Sequence, residues 1–326
     1  MRVILICAVL SFLLMLFSAK YVIRFLKKIN LIVKDMNKKD KPLVPISGGL
    51  MVLGGMVFSF LIFIFIQTFI YSNQPYVVNI FAVLTTLLLI TLVGFIDDLL
   101  IHKSKIESSG LRQWQKPLLT LFASIPLIVV NAGNTNMTLP FLGQIGWGLF
   151  YPLILIPIGV VGAANMVNML AGFNGLEAGL GLVYTGMLAI YAYFNNSYLG
   201  TLIATVTFFS LIVFYYYNRY PAKVFPGDSL TYLLGASLAC IAIIGNLEKA
   251  ALICSIPFFI EFILKARGKF KVKSYGYYKD GKVKSYYDKI YSIPHIFTRT
   301  GKFTEKQVVF FCILIELFFS SLIWLV

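Results

Sequence analysis

The sequence predicts an all-α polytopic membrane protein, with about ten transmembrane helices in one bundle, both termini outside, and its chemistry on the cytoplasmic face. Three observations predict it. Hydrophobic residues make up 59% of the 326-residue chain and charged ones 13%, against about 45 to 50% and about 25% in soluble domains, more apolar surface than a compact soluble globule can hide. About ten apolar runs approach the ~20 residues that a bilayer core requires. Third, all of the 28 basic residues except Arg2 and Lys249 fall in or beside alternate connections between those runs. By the positive-inside rule those connections face the cytoplasm.

The runs justify themselves in order. The first, 3–26, is longer than a secretory h-region, and Arg24, Lys27 and Lys28 hold its C-terminal end in the cytosol. Runs 47–71 and 76–100 are joined by a short uncharged outer connection, and 117–133 follows a basic loop. Run 147–168 carries Pro152, Pro157, Gly159 and Gly162, tolerable in lipid only where neighbouring helices re-satisfy the freed backbone groups. Runs 176–195 and 198–217 meet at a second uncharged turn. Then come 229–245, 249–266 and, beyond a polar segment at 265–306, the last run, 307–326. The expectation is one domain over 1–326 with a cytoplasmic basic loop at about 265–306. Its simplest reading is a solvated loop that enforces topology and attracts anionic headgroups. The net charge of +15 thus belongs to a lipid bilayer partner, and a nucleic-acid binder is excluded. Cys7, Cys240, Cys254 and Cys312 lack paired spacing and read as small core residues. No 20 to 50 residue repeat appears.

Three polar motifs interrupt the apolar plan. Asp97 and Asp98 end the third run, where carboxylates are costly and a functional role is the default. A helix-end cap, or an ion pair with Lys103 or Lys116, is the structural alternative. Consecutive helical residues point about 100° apart, so the two acids should divide their labour. Asn165 and Asn168 share a helix face at i, i+3, and Gly172 lets the chain turn ahead of Asn174, Gly175 and Glu177. Helix–helix hydrogen bonding is the alternative there. Asp228 in Phe225-Pro-Gly-Asp-Ser229 either caps the next helix or contributes to a site. All three motifs open on the basic face. Their carboxylate and amide oxygens suit Mg²⁺, which takes a carboxylate or two plus substrate phosphates. No His-rich or Cys-rich set argues for Zn²⁺.

The ordered set resembles the polyprenyl-phosphate N-acetylhexosamine-1-phosphate transferases. It comprises Gly94-Phe-Ile-Asp97-Asp98, the 165–179 segment and Phe225–Ser229, with Asp35-Met36-Asn37-Lys38 and Asn218-Arg-Tyr-Pro221 in register. The wording Asn168-Met-Leu-Ala-Gly-Phe-Asn-Gly-Leu-Glu-Ala-Gly179 is similar to the eukaryotic and archaeal branch, the UDP-GlcNAc:dolichyl-phosphate GlcNAc-1-phosphate transferases. Ala171 and Asn174 stand where bacterial relatives carry aspartates, and a lone His295 replaces a His-rich cluster, which argues against a bacterial UDP-MurNAc-pentapeptide donor.

The resemblance implies transfer of GlcNAc-1-phosphate from UDP-GlcNAc to a polyprenyl or dolichyl phosphate, releasing UMP. It implies Mg²⁺, with Mn²⁺ as an alternative, held by Asp228 and Asn168; catalytic roles for Asp97, Asp98 and Lys116; and substrate contacts from Met36, Asn165, Asn174 and Phe225, the last stacked on uracil. Arg267, in the Lys265-Ala-Arg-Gly-Lys269 cluster, would grip the donor. It leaves a homodimer open, and implies a prokaryotic cell membrane of archaeal type or the endoplasmic reticulum. The same chemistry on another UDP-N-acetylhexosamine is the nearest alternative. A secondary transporter of an anionic solute is the rival from another class, against which stands the gathering of polar groups at one face instead of the midplane.

Overall fold

A computed structural model describes residues 1–72, 75–103 and 110–325, the side chains of His102 and Lys103 excepted, so the predicted Lys103 ion pair lies outside the described residues. The chain is mostly helical, about 67%, and among the described residues eight helices are long and apolar enough to cross a membrane. The helices are α1 (Arg2–Lys28), α2 (Gly49–Phe65, prolonged by a π turn to Ile70), α3 (Val77–Lys103), α4 (Gln115–Phe122), α5 (Ile125–Val130), α6 (Ile156–Met169, preceded by a π turn from Tyr151), α7 (Leu176–Phe194), α8 (Tyr198–Asn218), α9 (Gly227–Gly245), α10 (Glu248–Cys254), α11 (Ile256–Arg267), α12 (His295–Thr298) and α13 (Glu305–Ser321).

Two of the ten expected spans depart from the prediction in the same way. Runs 117–133 and 249–266 are each broken into two short helices, α4–α5 and α10–α11. Both breaks fall at the tripeptide Ser-Ile-Pro, 124–126 and 255–257. Proline lacks the N–H that would continue the ladder but suits the first turn of a new helix. Each serine hydroxyl donates to a carbonyl one turn back, Ser124 to Leu121 O at 2.7 Å and Ser255 to Ala251 O at 2.7 Å. That pairing makes a break tolerable in an apolar setting.

The helix α9 is the axis of the bundle. Of its apolar window 83% is buried inside the protein, against 33% for α6 and for α13. Close approach at its N-terminal end depends on Gly49 of α2 and Gly94 of α3, each of which lies against the backbone at Ser229 where no Cβ would fit. Large apolar side chains such as Phe17, Tyr21 and Phe69 point outward, as lipid-facing side chains do.

Three antiparallel hairpins decorate the helices: β1 (Ile32–Lys34) with β2 (Leu43–Pro45), β3 (Asn136–Leu139) with β4 (Gly143–Gly146), and β5 (Tyr277–Lys279) with β6 (Lys282–Lys284). The last turns at Asp280-Gly281, both at positive φ, as an Asp-Gly hairpin turn requires. The polar 265–306 segment is therefore more than a solvated tether. Glu261 of α11 accepts from Ser292 Oγ at 2.6 Å and Ile293 N at 2.7 Å, and buried His295 meets Lys273 O at 3.0 Å and Tyr291 N at 3.3 Å.

Candidate active site

The C-terminal end of α3 delivers two adjacent carboxylates in different directions. Asp98 is fully buried and turns toward α9, where it accepts from Asp228 N at 2.7 Å, Ser229 N at 3.3 Å and Ser47 Oγ at 2.7 Å. It therefore caps a helix to which it is not covalently adjacent, satisfying N–H groups that α9 leaves orphaned and placing negative charge at the positive end of its dipole. Gly227, at φ +69°, brings the backbone so close to this carboxylate that a Cβ would strike it. The hydrogen-bonding capacity of Asp98 is thus turned toward α9 and Ser47.

Asp97, one step along the helix, faces the other way. Its Oδ2 lies 2.5 Å from Lys116 Nζ, and its Oδ1 accepts from Leu111 N. Lys116, in the first turn of α4, also reaches Asp228 Oδ2 at 2.7 Å. One ammonium thus joins a carboxylate of α3 to a carboxylate of α9. Asp228 Oδ2 receives a further bond from Asn168 Nδ2 at 3.1 Å, and Asn168 Oδ1 accepts from Thr231 Oγ1 at 2.9 Å. The Tyr232 ring lies 6.0 Å from Lys116 Nζ. Asp97 is fully buried, whereas the Lys116 and Asp228 side chains keep 22% and 17% of their exposure, so the site is accessible at those two groups.

Both structural alternatives for the Asp97–Asp98 pair are thereby realised, the ion pair by Asp97 and the cap by Asp98. The alternative for Asp228 is not: no side chain caps α9 from within it, because Asp98 does so from α3. The Asp228 carboxylate is released toward Lys116 and Asn168.

The other predicted residues lie apart from this centre. Asn165 donates to Thr120 Oγ1 at 3.2 Å and Val161 O at 2.8 Å, locking α6 to α4. Asn174 is buried in a second network: its Nδ2 donates to Asp35 Oδ2 at 3.0 Å and Glu305 Oε1 at 2.7 Å, its N to Glu305 Oε1 at 2.8 Å, and its Oδ1 accepts from Ala222 N at 2.7 Å. Contact of this amide with a uracil would have to displace those partners. Lys38 pairs with Glu305 and with Asp35 at 3.3 Å. Half-buried Met36 sits between Asp35 and Asn37, whose side chain donates to Gly172 O at 2.8 Å. Phe225 is half-buried two residues before Gly227, with its N on Pro45 O at 2.7 Å and its O receiving Gly48 N at 2.9 Å.

Of the basic cluster after α11, Lys265 is consumed internally by Val272 O at 2.8 Å, Ser274 Oγ at 2.6 Å and Glu261 at 3.7 Å. Arg267 is exposed at the helix end. Gln113, beside the loop that meets Asp97, donates to Phe270 O at 2.7 Å, so the end of α11 and the Asp97 site share one side of the molecule. Sequence reasoning missed Ser47 and Glu305, and named Lys38 only within the Asp35–Lys38 motif. Of the two missed, Ser47 left a local signal, the Ser-Gly-Gly that opens α2.

The glycosyl transferase family 4 pattern matches residues 80–246, just over half the chain and the stretch that carries Asp97, Lys116, Asn168 and Asp228. The chain belongs to that family. Among its similar relatives, a Saccharolobus solfataricus protein provisionally named UDP-N-acetylglucosamine–dolichyl-phosphate N-acetylglucosaminephosphotransferase is 38% identical over 92% of this chain and 89% of its own. A Dictyostelium discoideum protein of the same name, without the qualifier, is 29% identical over 88% of this chain and 79% of its own. A phospho-N-acetylmuramoyl-pentapeptide-transferase of Halalkalibacterium halodurans is 31% identical over 82% of this chain and 85% of its own. Membership in family 4 agrees with the resemblance that the motifs carry, and it fits the multi-pass helical architecture.

Proposed function

We propose that this protein transfers GlcNAc-1-phosphate from UDP-GlcNAc to a polyprenyl phosphate of dolichyl type, forming a GlcNAc-diphospho-lipid and releasing UMP. The observation that carries the reading is the single ammonium of Lys116 held between Asp97 and Asp228, with Asn168 beside it, at the ends of apolar helices. The relatives' names supply the donor and acceptor.

In this reading an oxygen of the lipid phosphate attacks the donor phosphorus that bears the sugar, a new P–O–P bond forms, and the bond to UMP breaks. Several negative charges meet, so neutralising them is the main task of the site. Lys116 supplies one fixed positive charge. Asp97, facing it, orients the acceptor phosphate and takes its proton where one is present. Asp98 works at one remove, by fixing the turn on which Asp228 is mounted.

Three carboxylates and one ammonium leave the cluster formally acidic, and the Asp228 carboxylate is partly accessible. Both features fit a divalent cation. Among the described residues no group of three or more His, Cys, Asp or Glu is arranged to hold a metal ion alone. Asp228 and Asn168, the latter with its amide turned so that the oxygen and not Nδ2 faces Asp228, would hold Mg²⁺, or Mn²⁺ in its place, together with substrate phosphates. When bound, the ion supplies charge neutralisation at the diphosphate. Phe225, next to this turn, would offer its ring to the uracil, and exposed Arg267 would grip the donor from α11.

The basic connections orient the reacting face to the cytoplasm with both termini outside. The membrane would be an archaeal-type cell membrane or, in a eukaryote, the endoplasmic reticulum. The test is UMP release by purified protein given UDP-GlcNAc, dolichyl phosphate and Mg²⁺. No UMP under these conditions, with exchange of an anionic solute by reconstituted vesicles, would sink the enzyme reading in favour of a transporter. Parallel assays with other UDP-N-acetylhexosamines decide the sugar.

A further inference from the structure

A depression of about 390 Å³ lies between the C-terminal part of α1, strand β2 and the α8–α9 connection. Four basic residues line it, Lys20, Arg24, Lys27 and Lys223, and no acidic residue does. Lys20, Arg24 and Lys27 follow the i, i+4, i+7 spacing and share one face of α1, where like charges repel. Lys223 arrives from a segment distant in sequence. Among the described residues none of the four is in an ion pair, and Lys223 meets only the rings of Tyr216 at 5.8 Å and Tyr217 at 5.9 Å.

Topology alone would need these charges at this end of the helices but would not need them to converge on a concavity. Convergence without a counter-charge calls for an anion. The apolar surroundings say which kind, because Tyr21 and Phe25, at i, i+4 on α1 and 70% and 56% exposed, flank the basic face and offer a track for hydrocarbon. We propose that this depression binds the phosphate of an anionic lipid headgroup, with the acyl chains laid along Tyr21 and Phe25. The site is separate from the Asp97–Lys116–Asp228 cluster but touches its support. Lys223 N bonds Tyr217 O at 2.8 Å, neighbouring Ala222 N bonds Asn174 Oδ1 at 2.7 Å, and Pro45 in the wall accepts Phe225 N at 2.7 Å. A headgroup on Lys223 would brace the connection that leads to Asp228.

The test reads unfolding instead of turnover, so its outcome is independent of the transferase reading. Purified protein in neutral detergent is titrated with phosphatidylglycerol, phosphatidylcholine, or the soluble anions glycerol phosphate and inorganic phosphate, and the thermal midpoint is followed. Phosphatidylglycerol should raise the midpoint by about 3 °C or more while the other additives do not. Arg24→Gln with Lys223→Gln should require at least about fivefold more phosphatidylglycerol. Lys279→Gln with Lys282→Gln, which removes equal charge from the β5–β6 hairpin, should behave as the unaltered protein. If the first pair does not fold, Lys223→Gln alone serves in the same comparison. An equal loss in both variants, or no response of the unaltered protein, would overturn the site. An equal rise with glycerol phosphate or inorganic phosphate would overturn its assignment to a lipid.

Discussion

Two polar networks six residues apart on the 168–174 turn use the same chemical parts in opposite ways. Around Asn174, two carboxylates, a lysine and an amide close on one another. Glu305 Oε1 takes both Asn174 donors, its Oε2 takes Lys38, and Asp35 takes Lys38 and Asn174. Around Asn168, carboxylates, a lysine and an amide also meet, yet the Asp228 carboxylate keeps 17% of its exposure, against 3% and 4% for Glu305 and Asp35, while the two lysines differ less, 22% for Lys116 and 14% for Lys38. A closed network holds segments together, and its parts cannot turn to a ligand without leaving their partners unpaired. An open one keeps charge available for something that arrives. Carboxylate exposure distinguishes the two networks more sharply than residue type does.

The comparison can be broken by exchanging one carboxylate in each network. Asp228→Asn should lower UMP release by about a thousandfold, roughly 4 kcal/mol of barrier, while leaving the thermal midpoint unchanged or higher. Full turnover at limiting Mg²⁺ would show that the open network is not the reacting centre. Glu305→Gln should do the reverse in kind. It strands Lys38 and the Asn174 donors, so unfolding free energy should fall by about 2 to 4 kcal/mol in denaturant titration. Unchanged stability would mean that the closed network carries no structural load.

A third measurement sharpens the closed class by pH. Burial lowers the His295 pKa from 6.5 to about 4, so between those values the unfolded chain binds a proton that the folded one refuses. The stability that His295 contributes is complete above pH 6.5 and is lost as pH falls toward 4. Melting midpoints should drop over that window, and less so in His295→Gln; identical profiles would remove His295 as the cause. The smallest effect concerns the donor grip. Arg267→Lys should raise the Michaelis constant for UDP-GlcNAc by about three- to tenfold, since lysine cannot reproduce a bidentate fork, whereas Lys282→Ala on β6 should change it little. Equal small effects would move the sugar contacts toward Arg299.

Much of this was legible in the sequence. The apolar runs marked the eight long helices, and the order of the Asp-Asp, Asn-rich and Gly-Asp-Ser motifs singled out the residues that Lys116 and Asn168 join. Helical geometry even announced that Asp97 and Asp98 would part ways. It could not say which would cap, because the answer depends on α9 arriving from 130 residues downstream. The partner of Asn174 was not legible, since Glu305 lies 131 residues away at the start of α13 and nothing local marks it. The partners of Lys265 were hidden for the same reason, being supplied by the fold of the following loop. The breaks in runs 117–133 and 249–266 were written twice as Ser-Ile-Pro, but apolarity alone read each run as continuous.

The capping of α9 by Asp98 also bears on how such proteins can be recombined. Asp98, Ser47 and the backbone of Gly227 to Ser229 fit as a lock made in three separate pieces. A chimera that imports α9 from a relative while keeping the resident α3 would mate one half of a joint with a stranger's other half. The transplantable unit is α2, α3 and α9 together, although they are far from contiguous in the gene.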